Sequence, residues 1–153
     1  MAGSVLVAYA TKRGSTREVA EAVAETLRGQ GFEVELVPAA EAKSVEKFDA
    51  VVIGGALYSG RWRGSRMLKR RRRALASKPV AVFAMGPRRA ADIVFTRASQ
   101  QLQRALARVP EVEPVASGVF GGVDRKKGID LRDWDAIRAW AEAVGDELAS
   151  TDT

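Results

Sequence analysis

The chain contains no cysteine and no histidine. The first absence rules out disulfides, thiolate nucleophiles and cysteine-bound metal centres. The second removes the imidazole that serves as general base or metal ligand near neutral pH. Any redox chemistry therefore has to come from a bound cofactor. Long apolar runs are missing too. None approaches the roughly 18 residues that suggest a membrane-crossing helix, so no transmembrane span is expected. The start, Met1-Ala2-Gly3-Ser4, leads directly into a strand-like run without the basic and apolar regions of a secretion signal. The expected setting is cytoplasmic, with peripheral attachment to a membrane as a variant of it.

What remains is an ordinary globular composition. With 153 residues, 46% hydrophobic and 29% charged, the chain is long enough for one domain with its own core. We place that domain at residues 1–149 and read 150–153 as a frayed tail. The net charge is +6, and its source is local. Residues 61–73, RWRGSRMLKRRRR, hold seven arginines, one lysine and no acid, a charge of +8. Subtracting that +8 from +6 leaves −2 for the rest of the chain.

Hydrophobic periodicity sets out an alternating plan. Val5-Leu6-Val7-Ala8-Tyr9 is an unbroken apolar run, as a strand covered on both faces requires. After a polar turn, Val19, Ala20, Val23, Ala24 and Leu27 recur at helical spacing. Ser15 or Thr16 is expected to cap this helix, and Ser15 with Glu18 fits a capping box. Phe32, Val34, Leu36 and Val37 alternate partially and suit an edge strand. Residues 39–47 suggest a short helix. Ala50-Val51-Val52-Ile53 is a third strand, and 64–77 a very basic helix with Met67, Leu68 and Leu75 turned inward. Pro79 opens a fourth strand, Val80 to Ala84. Phe95, Ala98, Leu102, Leu106 and Val109 form the stripe of another helix, stopped by Pro110. Val112 to Phe120 is the fifth strand region. Asp133 caps a last helix, whose Trp134 and Trp140 are expected to pack in the core. The order βαβαβαβαβα implies a mostly parallel sheet with helices on both faces, a three-layer α/β fold.

In a doubly wound sheet, ligands bind beyond the carboxyl ends of the strands where strand order reverses. Residues 10–16 lie at such an end. Gly14 permits close backbone approach, and the first amides of the following helix lack intrahelical acceptors. Thr11, Ser15 and Thr16 add hydroxyls; Lys12 and Arg13 add positive charge. One glycine is too few for a dinucleotide-binding GxGxxG, and GxxxxGK[ST] is not present. The loop suits a single terminal phosphate better than a pyrophosphate. An ordinary strand-to-helix connection would use similar small capping residues.

Two segments carry a family resemblance: VLVAYATKRGSTREVAEAVAETL at 5–27 and FDAVVIGGALYSGRW at 48–62. With the WDAIRAWAEAV helix at 134–144, the chain resembles the flavodoxin-like family over nearly its whole length. Within that family it looks most like the flavodoxin-domain proteins that include the quinone-linked protoporphyrinogen oxidases. The resemblance implies a five-stranded parallel sheet of order 2-1-3-4-5 and non-covalent flavin mononucleotide (FMN). It places the phosphate at Thr11, Lys12, Arg13, Gly14, Ser15 and Thr16. It places the flavin ring between Ala56, Leu57, Tyr58, Ser59 and Gly60 on one side and Met85, Gly86, Pro87 and Arg88 on the other. Tyr58 offers a flat face for stacking, and Trp62, just beyond, a second one. No catalytic side chain and no metal is implied. The implied function is FMN-dependent electron transfer or a small oxidoreductase activity, with quinone-linked protoporphyrinogen oxidation as the sharper alternative. Arginines near the expected flavin entrance depart from the acidic surfaces typical of flavodoxins.

The segment Arg61–Arg73 remains. An acidic redox protein would be steered to it, and an anionic membrane bearing a quinone or porphyrinogen also fits. No recognition helix or stacking platform accompanies the run, so specific nucleic-acid binding is not expected. A flavin-free interaction module using the arginine-rich face is the competing class of function.

Overall fold

Three unbroken apolar runs are covered on both sides, and this sets them in the middle of a sheet. The structure, a computed structural model, describes residues 3–11, 14–89 and 91–150. Its elements are β1 (Ser4–Ala10), α1 (Ser15–Gly29), β2 (Glu33–Pro38), a 3-10 turn (Ala39–Glu41), β3 (Ala50–Tyr58), β4 (Arg61–Trp62), α2 (Ser65–Arg70) and α3 (Arg72–Leu75). They continue with β5 (Val80–Met85), α4 (Asp92–Ala107), β6 (Ala116–Phe120), β7 (Val123–Asp124), β8 (Ile129–Asp130) and α5 (Trp134–Ser150). The main sheet runs β2-β1-β3-β5-β6 with every one of these neighbours parallel. Counted as the five long strands, this is the expected order 2-1-3-4-5.

Alternation along the central strands feeds two separate cores. Val5, Val7, Val52 and Phe83 meet Val19, Val23 and Leu27 of α1 and Ile137 and Val144 of α5. Leu6, Ala8, Val51, Ile53 and Val82 meet Leu68, Leu75, Leu102 and Leu106 on the opposite side. Each such buried aliphatic side chain contributes about 1.5–3 kcal/mol, so both layers hold the sheet. At the far end of the first core Phe83, Phe120 and Trp140 pack as a triad, with centroids 5.6–5.9 Å apart. The edge strand β2 exposes Glu33 and Glu35 between half-buried neighbours, as its partial alternation indicated.

Several boundaries differ from the sequence expectation. Only Ala39–Glu41 of the 39–47 segment is helical, and as a single 3-10 turn. The basic segment is two helices, interrupted at Arg71 (φ −105°, ψ 14°). Met67, Leu68 and Leu75 do point inward. The interruption falls inside Lys69–Arg73, where adjacent like charges weaken a helix. There Arg71 also turns away to donate to the Ala42 carbonyl at 2.8 Å. The fifth long strand begins at Ala116 rather than Val112, whose amide instead closes a turn on Val109. The helix α5 is capped as expected, with Asp133 accepting from the Ala136 amide at 3.0 Å.

The start of α1 is a correction of another kind. Gly14 is its N-cap, in the left-handed region (φ 88°), with no side-chain cap. Ser15 is therefore already helical and cannot serve as cap, and the Ser15–Glu18 capping box does not form. Glu18 is instead engaged by Arg132.

Candidate functional site

The order of strands reverses between β1 and β3, and the loops following β1, β3, β5 and β6 surround a narrow cleft at that point. Its walls come from Thr11 and Ser15 in the first loop, Ala56, Leu57 and Tyr58 at the end of β3, and Met85, Gly86 and Arg88 after β5. All eight were named as site residues, Thr11 and Ser15 from the loop itself and the other six through the family resemblance. The remaining wall, Gly122, Val123 and Arg125, was not named. The signal was present in the Gly121-Gly122 pair closing the fifth strand. That pair serves a purpose beyond a turn: the Gly122 amide donates to Pro87 O at 2.7 Å, joining the two loops across the cleft floor.

The first loop is arranged around unused donors. Thr11 Oγ1 accepts from the Gly14 amide at 3.0 Å, which tightens the turn into its left-handed conformation. A glycine adopts that φ without steric cost. The next amides, at the start of α1, have no intrahelical acceptor. Thr16, in the first turn of α1, is 0% exposed and is not among the residues lining the cleft, and its hydroxyl has no hydrogen-bond partner. A buried hydroxyl without a partner costs roughly 1–3 kcal/mol. Lys12 and Arg13 lie outside the described residues.

A carboxylate in the first turn of α1 would oppose an anion there, and Glu18 is one. Its charge is neutralised. Arg132 Nη1 sits 3.1 Å from Glu18 Oε1, and Arg125 Nη2 lies 4.0 Å away. The Arg132 side chain is only 9% exposed. It also grips Asp130 through Nε and Nη2, at 3.0 and 2.7 Å, and stacks over Trp134. Hydrogen bonds from Arg132 hold the Asp130 carboxyl down, at about 2, while the guanidinium's own pKa is raised, chiefly by its bond to Asp130. The β7–β8 hairpin is thereby fastened to the helix that begins at the first loop.

The ring-contact residues divide. Tyr58 is exposed on the cleft wall, with the Arg63 guanidinium 5.4 Å from its ring centroid. Ser59 (φ 51°) and Gly60 (φ 74°) make the turn after it and face neighbouring grooves. Pro87 is buried and faces the adjoining groove. Trp62 is not available as a stacking face. It is 2% exposed, its Nε1 donates to the Phe83 carbonyl at 3.0 Å, and its ring packs in the second core. The short antiparallel return β4, pairing Leu57 with Trp62, folds the indole under the sheet end. A Cβ on Gly64 would collide with the indole, which shows how closely the backbone encloses it.

A family model described as the flavodoxin domain matches residues 6–145. The chain belongs to the flavodoxin-domain family. Solved flavodoxins share the fold at low identity. A flavodoxin from Streptococcus pneumoniae TIGR4 is 20% identical with a TM-score of 0.64, covering 97% of this chain and 99% of that one. Flavodoxin 2 from Bacillus cereus is 22% identical with a TM-score of 0.62, over 94% and 99%. A short-chain flavodoxin associated with a bacterial microcompartment is 19% identical with a TM-score of 0.66, over the whole of both chains. No curated protein matches the chain. Among the described residues, no helix is long and apolar enough to cross a membrane.

The flavodoxin-domain family implies a flavin, and the residues present fit its phosphate. That fit rests on a left-handed Gly14, first-turn amides without intrahelical acceptors, a buried Thr16 hydroxyl without a partner and a Glu18 paired with Arg132. The cleft itself is small, about 60 Å³, well below the roughly 300–1,000 Å³ of a pocket that engulfs its ligand. The exposed side chains of Tyr58 and Arg88 stand among the residues that line it.

Proposed function

We propose that this chain binds FMN non-covalently and works as an electron carrier. The observation that carries the reading is the Thr16 hydroxyl, buried and unpartnered in the first turn of the helix that follows β1. In this reading the first-turn amides of α1 and the hydroxyls of Thr11, Ser15 and Thr16 hold the terminal phosphate. Lys12 and Arg13 contribute charge. Arg132 and Arg125 keep Glu18 from repelling it. Tyr58 offers one face to the ring, and Ala56, Leu57, Met85, Gly86 and Arg88 line its inner edge; Ser59, Gly60 and Pro87 shape the turns that carry them.

When bound, FMN supplies the capacity to accept and release electrons, which no side chain of this protein has. The protein positions the cofactor and leaves one edge open to solvent. No histidine or cysteine is required for that role. Quinone-linked porphyrinogen oxidation is the sharper activity within the family resemblance. No residue of the cleft selects for it, so the carrier role is the function proposed.

The visible spectrum of the freshly purified protein tests this, followed by titration of flavin-free protein with FMN and with riboflavin. Tight uptake of FMN and much weaker uptake of riboflavin are expected. Failure to take up FMN overturns the reading. Equal affinity for the two flavins overturns the phosphate seat.

A further inference from the structure

The run Lys69–Arg73 is less available than its sequence suggests. Arg71 donates to Ala42 O, and Arg72 pairs with Glu111 at 3.2 Å and donates to Lys69 O. Lys69, Arg70 and Arg73 stay exposed, and a second set of accessible charges faces across a groove. A groove of about 1020 Å³ runs between the β3–β4 turn with α2 on one side and α4 on the other. Arg61, Arg63 and Arg66 stand on the first wall, Arg104 and Arg108 on the second. All five are exposed, and none lies within 4.0 Å of a described carboxylate. Among the described residues, no acidic one lines the groove. Arg104 and Arg108 are some forty residues distant in sequence from the first wall.

The charge also has a direction. On one face of the sheet, α1 carries Glu18, Glu21 and Glu25 against Arg17 and Arg28, and α5 four acids against Arg138, a net −4. On the other face, α2, Arg71, α3 and α4 carry eight cations against Asp92, a net +7. A molecule polarised across its sheet turns its groove toward an acidic partner as it approaches.

We propose that this groove docks an acidic segment of a partner protein, holding its carboxylates between the two arginine walls. Guanidinium groups pair carboxylates through two parallel hydrogen bonds, and a trough with donors on both sides suits an extended acidic stretch. A single phosphate would leave most of the five guanidiniums unused. A flat membrane cannot reach the floor of a trough. Tyr58 and Gly60 line the groove as well as sitting beside the cleft, so the docked segment lies at the flavin edge. Electron exchange with the partner rests on the carrier reading; the docking itself does not.

The test uses the purified protein as isolated and a fluorescein-labelled decaglutamate peptide, read by anisotropy. FMN content is read separately from absorbance. Peptide binding that weakens with salt is expected. Arg104→Gln/Arg108→Gln is expected to weaken it about tenfold, against about threefold or less for Arg70→Gln/Arg73→Gln, which removes the same charge outside the groove. Arg61→Gln/Arg66→Gln, on the opposite wall, should match the Arg104/Arg108 pair, so one misfolded variant does not decide the result. Equal losses inside and outside the groove overturn the proposal. So does displacement of the peptide by inorganic pyrophosphate at concentrations below those at which the peptide binds, which identifies a small-anion site. Sedimentation with phosphatidylserine vesicles through the same arginines, with no peptide binding, also overturns it. Peptide binding without FMN uptake keeps the docking site and removes the carrier reading; the reverse result does the opposite.

Discussion

Arg132 reaches across 114 residues of sequence to place Nη1 3.1 Å from the Glu18 carboxylate, and the same guanidinium holds Asp130 at 2.7 Å. One nearly buried side chain thus ties the hairpin after β6 to the first turn of α1. Its removal leaves Glu18, beside the proposed phosphate seat, with only the longer contact to Arg125 at 4.0 Å. Arg132→Gln is expected to weaken FMN binding about tenfold or more, with a smaller effect on riboflavin. Paired titrations with the two flavins check this. An equal loss for both would mean that the hairpin's position, not the charge on Glu18, is what matters.

The same pair makes a pH prediction whose sign follows from the direction of the shift. The folded Asp130 has its pKa lowered from 3.8 to about 2, chiefly by the hydrogen bond from Arg132. Its contribution to stability is therefore complete above 3.8 and is lost as the pH falls through that value to about 2. The carboxylate is about half exposed, so solvent screening keeps the contribution below about 1 kcal/mol. Denaturant midpoints taken between pH 5 and about pH 2 should fall more steeply for the native protein than for Arg132→Gln. Parallel curves would show that the pair adds nothing to folding.

The layered fold was readable because its signals are local. Unbroken runs such as Val5 to Tyr9 and stripes such as Val19, Val23 and Leu27 declare strands and helices within a few residues, and their alternation leaves few topologies. The first loop was readable for the same reason, whereas the ends of the third and fourth long strands were assigned to the site by the family resemblance. What escaped depends on contacts between distant segments. Gly122, Val123 and Arg125 join the cleft only because β6 lies beside β5. Arg132 carries no mark of its role in a polar stretch. Arg104 and Arg108 look like the solvent side of a helix until α4 is set opposite α2. Trp62, flanked by two arginines, reads as a surface residue; two residues of antiparallel pairing turn it inward.

Trp62 should consequently report on stability rather than on flavin. Trp62→Phe removes the indole donor to the buried Phe83 carbonyl, a hydrogen bond worth about 0.5–1.5 kcal/mol. Some additional loss follows from the smaller ring in a tightly enclosed site. Chemical denaturation measures the loss. FMN affinity of the folded variant is expected to stay within about twofold of the native value, since the indole is walled off from the cleft. A selective loss of flavin affinity without a change in the denaturation midpoint would show that Trp62 touches the ring after all.

Thr16 separates the phosphate seat from every merely structural account of the first loop, because the two make opposite predictions for one substitution. Thr16→Val keeps the shape of the side chain and deletes the hydroxyl. If that hydroxyl is there for a phosphate, flavin-free protein carries it at a cost, and the variant melts at the same or a higher temperature. Removing a buried, unpartnered hydroxyl recovers roughly 1–3 kcal/mol, less any portion a bound water already satisfies. FMN binding should move the other way, losing about 1.5–3 kcal/mol for a hydrogen bond to a charged group, with riboflavin binding unchanged. A calorimetric melt of flavin-free protein and the two flavin titrations give both signs. A hydroxyl needed for the fold predicts the reverse pattern, a lower melting temperature with FMN affinity intact, and that result would place the anion seat elsewhere.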